Sequence, residues 1–169
     1  MNPDDTGSET RLTLPVQPPT AATPHPPLLQ RLVKDFGACW VDEITVQDWA
    51  ALGGDRVVLL AGDAVRFPEG QDVAVVLPEL RRSASRPFEI AVVPRDREEA
   101  VARRYGSQRW PALVFLRDGQ YVTTVPGMLD WAVYVQAIEH ALALPVSRPP
   151  TIGIPVVSAG ASASDAACH

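Results

Sequence analysis

Apolar residues in the middle of the chain follow helical spacing in some stretches and strand spacing in others. The segment LLQRLVKDF (28–36) puts its apolar residues on one helical face, and Gly37 follows as a stop signal. The continuous apolar runs RVVLLAG (56–62) and FEIAVVP (88–94) are typical of strands buried on both faces of a sheet. The stretch ALVFLRDGQYVTTV (112–125) predicts a hairpin that turns at its Asp-Gly pair.

Helical patterns lie between these predicted strands. TVQDWAALGG (45–54) predicts a short helix capped by Thr45, with two glycines at its end. GQDVAVVLPELRRSAS (70–85) predicts a helix kinked at Pro78. DREEAVARRYG (96–106) carries acids in its first turn and arginines in its last, which suits the helix dipole. The last helix, MLDWAVYVQAIEHALAL, is predicted to bury Trp131, Val135, Ile138 and Leu142.

The order of these elements predicts the fold class. With CWVDE (39–43) as a short first strand, the order is α, β, α, β, α, β, α, β, β, α. A parallel unit followed by a hairpin and a closing helix predicts an α/β fold with a mixed central sheet flanked by helices. We expect one domain at 27–144, between flexible tails at 1–26 and 145–169 that are rich in Pro, Ala, Ser or Thr.

Composition narrows the classes of function. The net charge of −5 and the lack of a basic stripe argue against nucleic acid as a partner. Cys39 and Cys168 form no C-x-x-C pair, and with three scattered histidines they predict neither a metal site nor a cofactor. Because no apolar run is long enough to span a bilayer and the N-terminus has no signal-peptide pattern, we expect a cytoplasmic protein without membrane insertion.

The predicted domain resembles the thioredoxin fold, and the motifs that carry this resemblance lie in its second half. Tyr105-Gly106, Pro111, the ALVFL strand, Arg117-Asp118-Gly119 and Gly127 follow one another in the order that thioredoxins use around their cis-proline. The resemblance covers roughly residues 38–144. It implies a thioredoxin-like fold in which the peptide bond before Pro111 is cis.

The cysteines of redox thioredoxins are missing. Counting back from Pro78, the C-x-x-C positions hold Gly70, Gln71, Asp72 and Val73. Without a thiolate at a helix N-terminus, disulfide exchange has no nucleophile. The RVVLLAG strand also lacks the buried acid of redox thioredoxins. We therefore expect a protein that is not an enzyme.

A narrower resemblance covers most of the domain. The chain is similar to the cysteine-free HupG/HyaE family of hydrogenase-expression accessory proteins in six features, which are Asp48-Trp49, VVLL, Pro68-Glu69 with Asp72, Glu79-Leu80, PALVF, and Gly127 with Trp131. The resemblance implies a non-catalytic chaperone in the maturation of an uptake nickel–iron hydrogenase. It would bind the small-subunit precursor, including its twin-arginine signal peptide, before export, with other hydrogenase accessory proteins as further candidate partners.

Five residues form a hypothetical peptide site. Thioredoxin-like proteins hold extended peptides by pairing them with the backbone before the cis-proline, here Trp110 and Pro111. The facing loop contributes Pro68, and Glu69 and Asp72 supply carboxylates for arginine.

Alternative interpretations are structural or assign another function. Trp110 would pack on Tyr105 or Trp131 as a lid over the core. Glu69 and Asp72 would only cap their helix, and Cys39 would be a buried filler. The competing functions are a scaffold module of another assembly and a weak redox protein that uses Cys39 or Cys168 as a single thiol.

Overall fold

The computed structural model describes residues 25–151, and its helices and strands follow the predicted order. They are α1 (Pro27–Phe36), β1 (Cys39–Trp40), α2 (Val46–Ala51), β2 (Asp55–Leu60), α3 (Glu69–Ser83), β3 (Phe88–Val92), a 3-10 turn (Arg95–Arg97), α4 (Glu98–Tyr105), β4 (Ala112–Arg117), β5 (Gln120–Pro126) and α5 (Trp131–Ala143). Most of the two predicted tails lies outside the described residues. The domain limits 27 and 144 stay a prediction.

The strands form one mixed sheet in the order β1-β3-β2-β4-β5. β1, β3 and β2 run parallel, whereas β4 is antiparallel to both β2 and β5. The predicted mixed sheet is therefore confirmed. The hairpin between β4 and β5 turns where predicted, with positive φ at Asp118 (49°) and Gly119 (81°).

Helices cover both faces of the sheet. α1, α3 and α5 bury their apolar faces in one core, and α2 and α4 bury theirs in a second. β2 separates the two cores, since Val57 and Leu59 belong to the first and Val58 and Leu60 to the second. Both faces of β2 are therefore buried, which explains its continuous apolar sequence.

The predicted buried face of α5 is confirmed at Ile138 and Leu142 but not at its N-terminal end. Trp131 is 50% exposed, and Val135 is only half-buried. The buried residues are Tyr134, Ile138, Ala141 and Leu142. The helical period through Ile138 and Leu142 extends back to Tyr134, whose ring fills the place that the prediction gave to Trp131.

Two predictions near β1 were wrong. Cys39 is exposed rather than a buried filler, because β1 is a two-residue edge strand whose buried neighbours Ala38 and Val41 point to the cores. Thr45 stands at the N-cap position of α2 without capping the helix through its side chain. Its hydroxyl instead bonds Asp42, whose Oδ1 also accepts the N–H groups of Ile44 (3.0 Å) and Thr45 (2.8 Å).

An ion-pair network fixes the C-terminal end of α5 to the sheet. Asp55 Oδ1 lies 2.6 Å from Arg117 Nε, and Asp55 Oδ2 lies 2.5 Å from Arg86 Nη2. Arg117 also donates to the carbonyls of Leu142 (2.6 Å) and Leu144 (2.7 Å). The chain then continues along β5, where its residue 147 donates a backbone hydrogen bond of 2.7 Å to the carbonyl of residue 121.

Candidate functional site

The loop before β4 presents an unpaired stretch of backbone. The Trp110–Pro111 peptide bond is cis, as the resemblance implied. The Pro111 carbonyl accepts the N–H of Gly127 at 2.7 Å, which joins this loop to the end of β5. Within residues 25–151, neither the backbone N–H nor the C=O of Trp110 makes a hydrogen bond. An unpaired backbone before the cis-proline is the feature that an added strand would use.

A groove of about 410 Å³ opens beside Trp110. The ring of Phe67 forms an adjoining wall and stacks on the Trp110 ring, with centroids 6.1 Å apart and planes inclined by 29°. The lining residues are Arg66, Phe67, Gln108, Arg109, Trp110, Pro126 and Gly127. The two aromatic walls come from the loop before α3 and the loop before β4, which are distant in the chain.

The predicted site residues lie around this groove to different extents. Trp110 lines it, and Pro111 lies buried directly behind. Pro68 is the N-cap residue of α3, next to the Phe67 wall. Glu69 and Asp72 are exposed in the first turn of α3, outside the groove lining, and their role as peptide ligands stays a prediction.

Sequence reasoning missed Phe67, whereas the alternative interpretation of Trp110 as a lid is borne out in part, since Trp110 packs against the second core, which contains Tyr105. Trp110 stacks on Phe67, whereas Tyr105 stacks on Tyr121, with centroids 6.2 Å apart. The signal available in the sequence was the position of Phe67, immediately before the Pro68-Glu69 pair of the family resemblance.

The charge in the groove is positive. Among the described residues, Arg66 and Arg109 are the only charged ones that line it, and both are exposed. The Arg66 guanidinium lies 5.4 Å from the centroid of the Phe67 ring, a cation–π distance. Within the described part of the chain, neither arginine forms a salt bridge. Both cations are thus available to a bound molecule.

A buried acid lies beneath the groove. Glu98, the first residue of α4, is 1% exposed, and each of its carboxylate oxygens is 3.0 Å from the N–H of Gly62. Burial raises the pKa of Glu98, against the opposing influence of the Gly62 and Ala61 N–H groups and of Arg95. β2 has no acid in its central part, as the sequence shows. The buried acid beneath the groove, Glu98, comes from α4 instead. The sequence signal was misleading here, since Glu98 looked like an ordinary first-turn acid.

Backbone packing leaves no space for the nucleophilic cysteine of redox thioredoxins. A Cβ added at Gly70, the first C-x-x-C position, would lie 1.9 Å from the carbonyl oxygen of Ala61. Cys39 lies on the edge strand β1, whereas the groove adjoins the β4 end of the sheet. Cys168 lies outside the described residues.

Two kinds of feature are absent from residues 25–151. They contain no group of three or more His, Cys, Asp or Glu that could hold a metal ion. Nor, over the same range, is any helix long and apolar enough to cross a membrane.

Comparison with known proteins decides the family. Residues 28–134 match the sequence model of the family described as "Hydrogenase-1 expression protein HyaE". The hydrogenase expression/formation protein HoxO of Cupriavidus necator is 52% identical over 164 residues, which cover 96% of this chain and 99% of that protein. The chain belongs to the HyaE family of hydrogenase expression proteins.

Other members and a more distant structure agree with this. The expression/formation protein HupG of Bradyrhizobium diazoefficiens is 36% identical to this HyaE-family chain over 105 residues, covering 62% of it and 71% of HupG. A solved structure of a mutant thioredoxin from Halobacterium salinarum superposes with a TM-score of 0.51 at 22% identity, over 64% of this chain and 93% of the thioredoxin. At that identity the likeness concerns the fold alone, and it confirms the thioredoxin-like prediction.

Proposed function

We propose that this HyaE-family protein is a non-catalytic chaperone in the maturation of an uptake nickel–iron hydrogenase. It holds the small-subunit precursor, including its twin-arginine signal peptide, in the cytoplasm before export. The observation that carries the proposal is the aromatic-walled groove beside Trp110, whose backbone is unpaired within residues 25–151. Family membership supports the hydrogenase as the client.

The groove suits an extended peptide better than a small molecule. A peptide strand pairs with the free N–H and C=O of Trp110 and gains backbone hydrogen bonds without needing a fixed sequence. Its apolar side chains pack against Phe67 and Trp110, whose stacked rings provide a continuous aromatic surface. A twin-arginine signal peptide contains both an apolar stretch for this groove and an arginine pair.

The arginine pair is assigned to the carboxylates next to the groove. Glu69 and Asp72 share the first turn of α3, directly after the Phe67 wall, and both are exposed. Arginine binds carboxylates in a bidentate manner that lysine cannot match. The peptide therefore lies with its arginines over α3 and its apolar stretch in the groove.

The experiment is calorimetric titration of the full chain with a hydrogenase small-subunit signal peptide. A version with both arginines changed to lysine is titrated in parallel. We expect saturable micromolar binding to the native peptide and weaker binding to the lysine version. Trp110→Ala is expected to weaken binding about tenfold or more, the effect of losing a buried aromatic anchor. Ile44→Ala is the matched control, because Ile44 is 74% exposed and lies outside the groove lining.

Three other outcomes decide against parts of the proposal. Binding to the full precursor but not to the signal peptide would keep the chaperone and reject the groove as the signal-peptide site. Binding to neither would favour the scaffold interpretation. Catalytic reduction of a disulfide substrate, lost in Cys39→Ser or Cys168→Ser, would establish the redox alternative.

A further inference from the structure

We infer that Glu98 is the positioning residue of the groove: its buried carboxylate holds Gly62 and, through Gly62, sets how Phe67 and Trp110 face each other. The inference rests on the proposed function only where peptide binding is concerned. Glu98 itself does not line the groove. Its carboxylate lies at the start of α4 and binds Gly62, near the start of the chain segment that follows β2.

Gly62 is the link between the acid and the aromatic walls. It is buried and adopts φ +81°, a conformation that favours glycine. A Cβ on Gly62 would lie 2.8 Å from the Phe67 ring and 2.9 Å from Trp110 Cβ, so both walls rest directly on its backbone. The N–H of Gly62 is bound by the two oxygens of Glu98 at 3.0 Å each. A displacement of Gly62 would therefore move both walls of the groove.

The Trp110 indole lies close to this acid. Its Nε1 is buried and has no hydrogen-bond partner within residues 25–151. Although the geometry falls short of a hydrogen bond, the indole N–H is close enough to lower the pKa of Glu98. A buried donor without a partner is costly, and a negative carboxylate nearby offsets part of that cost. Protonation of Glu98 removes that compensation at the wall of the groove.

Few other charges act on Glu98. Arg95 Nη1, from the 3-10 turn, lies 3.7 Å from Glu98 Oε2 and is 43% exposed. Asp63, in the loop after β2, interacts with Arg95 and Arg66. Burial is the largest influence and raises the pKa of Glu98, which brings its titration closer to neutral pH than that of an exposed glutamate.

The first arm of the test needs no partner. The indole ¹⁵N–¹H resonance of Trp110, assigned by its loss in Trp110→Phe, is followed by NMR across the acid-to-neutral range. We expect it to titrate with a midpoint above the ordinary glutamate value. In Glu98→Gln it should be invariant with pH, whereas Glu99→Gln, on the exposed side of α4, should titrate like the wild type. An invariant wild-type resonance, or a titration that persists in Glu98→Gln, would overturn the inference.

A second variant tests the inference independently, in case Glu98→Gln does not fold. Arg95→Gln removes the nearest cation, which favours the ionised carboxylate, so the midpoint of the Trp110 resonance should move to higher pH. An unchanged midpoint would show that Trp110 reports on a different group.

The second arm measures binding of the small-subunit signal peptide over the same pH range. Wild-type affinity should fall roughly three- to tenfold towards acid, the effect of one weakened hydrogen bond. Glu98→Gln should be weaker at neutral pH by a similar factor, and its affinity should fall less towards acid than that of the wild type. Equal pH profiles for both proteins would reject Glu98 as a positioning residue. A titrating Trp110 resonance without peptide binding at any pH would reject the signal-peptide function and support the link between Glu98 and the groove.

Discussion

Gly70 occupies the first of the two positions at which redox thioredoxins carry cysteine, and its Cα packs against the chain just after β2. The backbone here leaves no room for a cysteine side chain, since a Cβ at this position would lie 2.8 Å from the carbonyl carbon of Ala61 and closer still to its oxygen. Returning a cysteine to position 70 would require α3 to move away from the sheet.

Gly70→Ala tests this packing. We expect the free energy of unfolding to fall by about 2 kcal/mol, because the contact is with rigid backbone and the helix must shift. The measurement is urea denaturation followed by circular dichroism. Glu69→Ala, an exposed change in the same turn, should stay within about 0.5 kcal/mol of the wild type. A Gly70→Ala protein as stable as the wild type would show that α3 adapts freely.

Arg66 and Arg109 give the groove a charge that the sequence did not suggest. They should repel an arginine-containing peptide, with a range of about 10 Å at 0.1 M salt. We expect the double variant Arg66→Gln/Arg109→Gln to bind the signal peptide several-fold more tightly at low salt, and Glu69→Gln/Asp72→Gln to bind it more weakly. Calorimetry at two salt concentrations measures both. Weaker binding by the first double variant would mean that the groove takes an acidic segment instead.

At the scale of elements, prediction succeeded where burial alone decides the pattern. β2 and β3 were found because strands covered on both faces have continuous apolar sequences, and the hairpin because Asp118-Gly119 suits its turn. The N-terminal part of the buried face of α5 was predicted wrongly, because both Trp131 and Tyr134 fit a helical stripe through Ile138 and Leu142. Which of the two side chains is buried depends on how the helix lies against the sheet, and the sequence pattern does not record that.

Two alanine variants of α5 should separate its buried face from its exposed one. Ile138→Ala is expected to lower the free energy of unfolding by about 3 kcal/mol, since Ile138 is fully packed in the first core. Trp131→Ala, at a half-exposed position, should change it by less than about 0.5 kcal/mol. Comparable losses in thermal denaturation would indicate that Trp131 packs on the core after all.

The ion-pair network at the end of α5 joins this helix to two strands of the sheet. Asp55→Ala leaves the guanidinium of Arg117, whose side chain is 19% exposed, without its carboxylate, and we expect a loss of about 3 kcal/mol in denaturant unfolding. Glu79→Ala breaks an exposed pair with Arg82 and should cost less than about 1 kcal/mol. Similar losses in the two variants would contradict a special role for Asp55.

At the scale of the whole molecule, the groove depends on long-range packing that local sequence patterns do not record. Phe67 and Trp110 follow no shared periodicity, and the fold brings them together over Gly62. The cis-proline loop was predictable because its residues form a compact motif. Glu98 was not, because nothing in an amphipathic helix pattern marks which of two adjacent glutamates turns inward.

The pH dependence of stability follows from the acids of the whole domain. The pKa of Glu98 is raised, so folding takes up a proton between its unfolded value of 4.5 and its higher folded value. Its contribution to stability therefore grows as pH falls from neutral and is complete below 4.5. Asp42, Asp63 and Glu139 accept hydrogen bonds that lower their pKa, so their contributions are lost only at more acidic pH.

Thermal denaturation of the wild type and Glu98→Gln at several pH values tests this balance. Because glutamine cannot take up the proton, the melting temperature of the wild type relative to the variant should be higher at about pH 5 than at about pH 8. Glu99→Gln should follow the wild type throughout, since Glu99 is exposed. A difference that is constant with pH would mean that Glu98 titrates alike in the folded and unfolded chain, and hence that its burial beneath the groove does not control its charge.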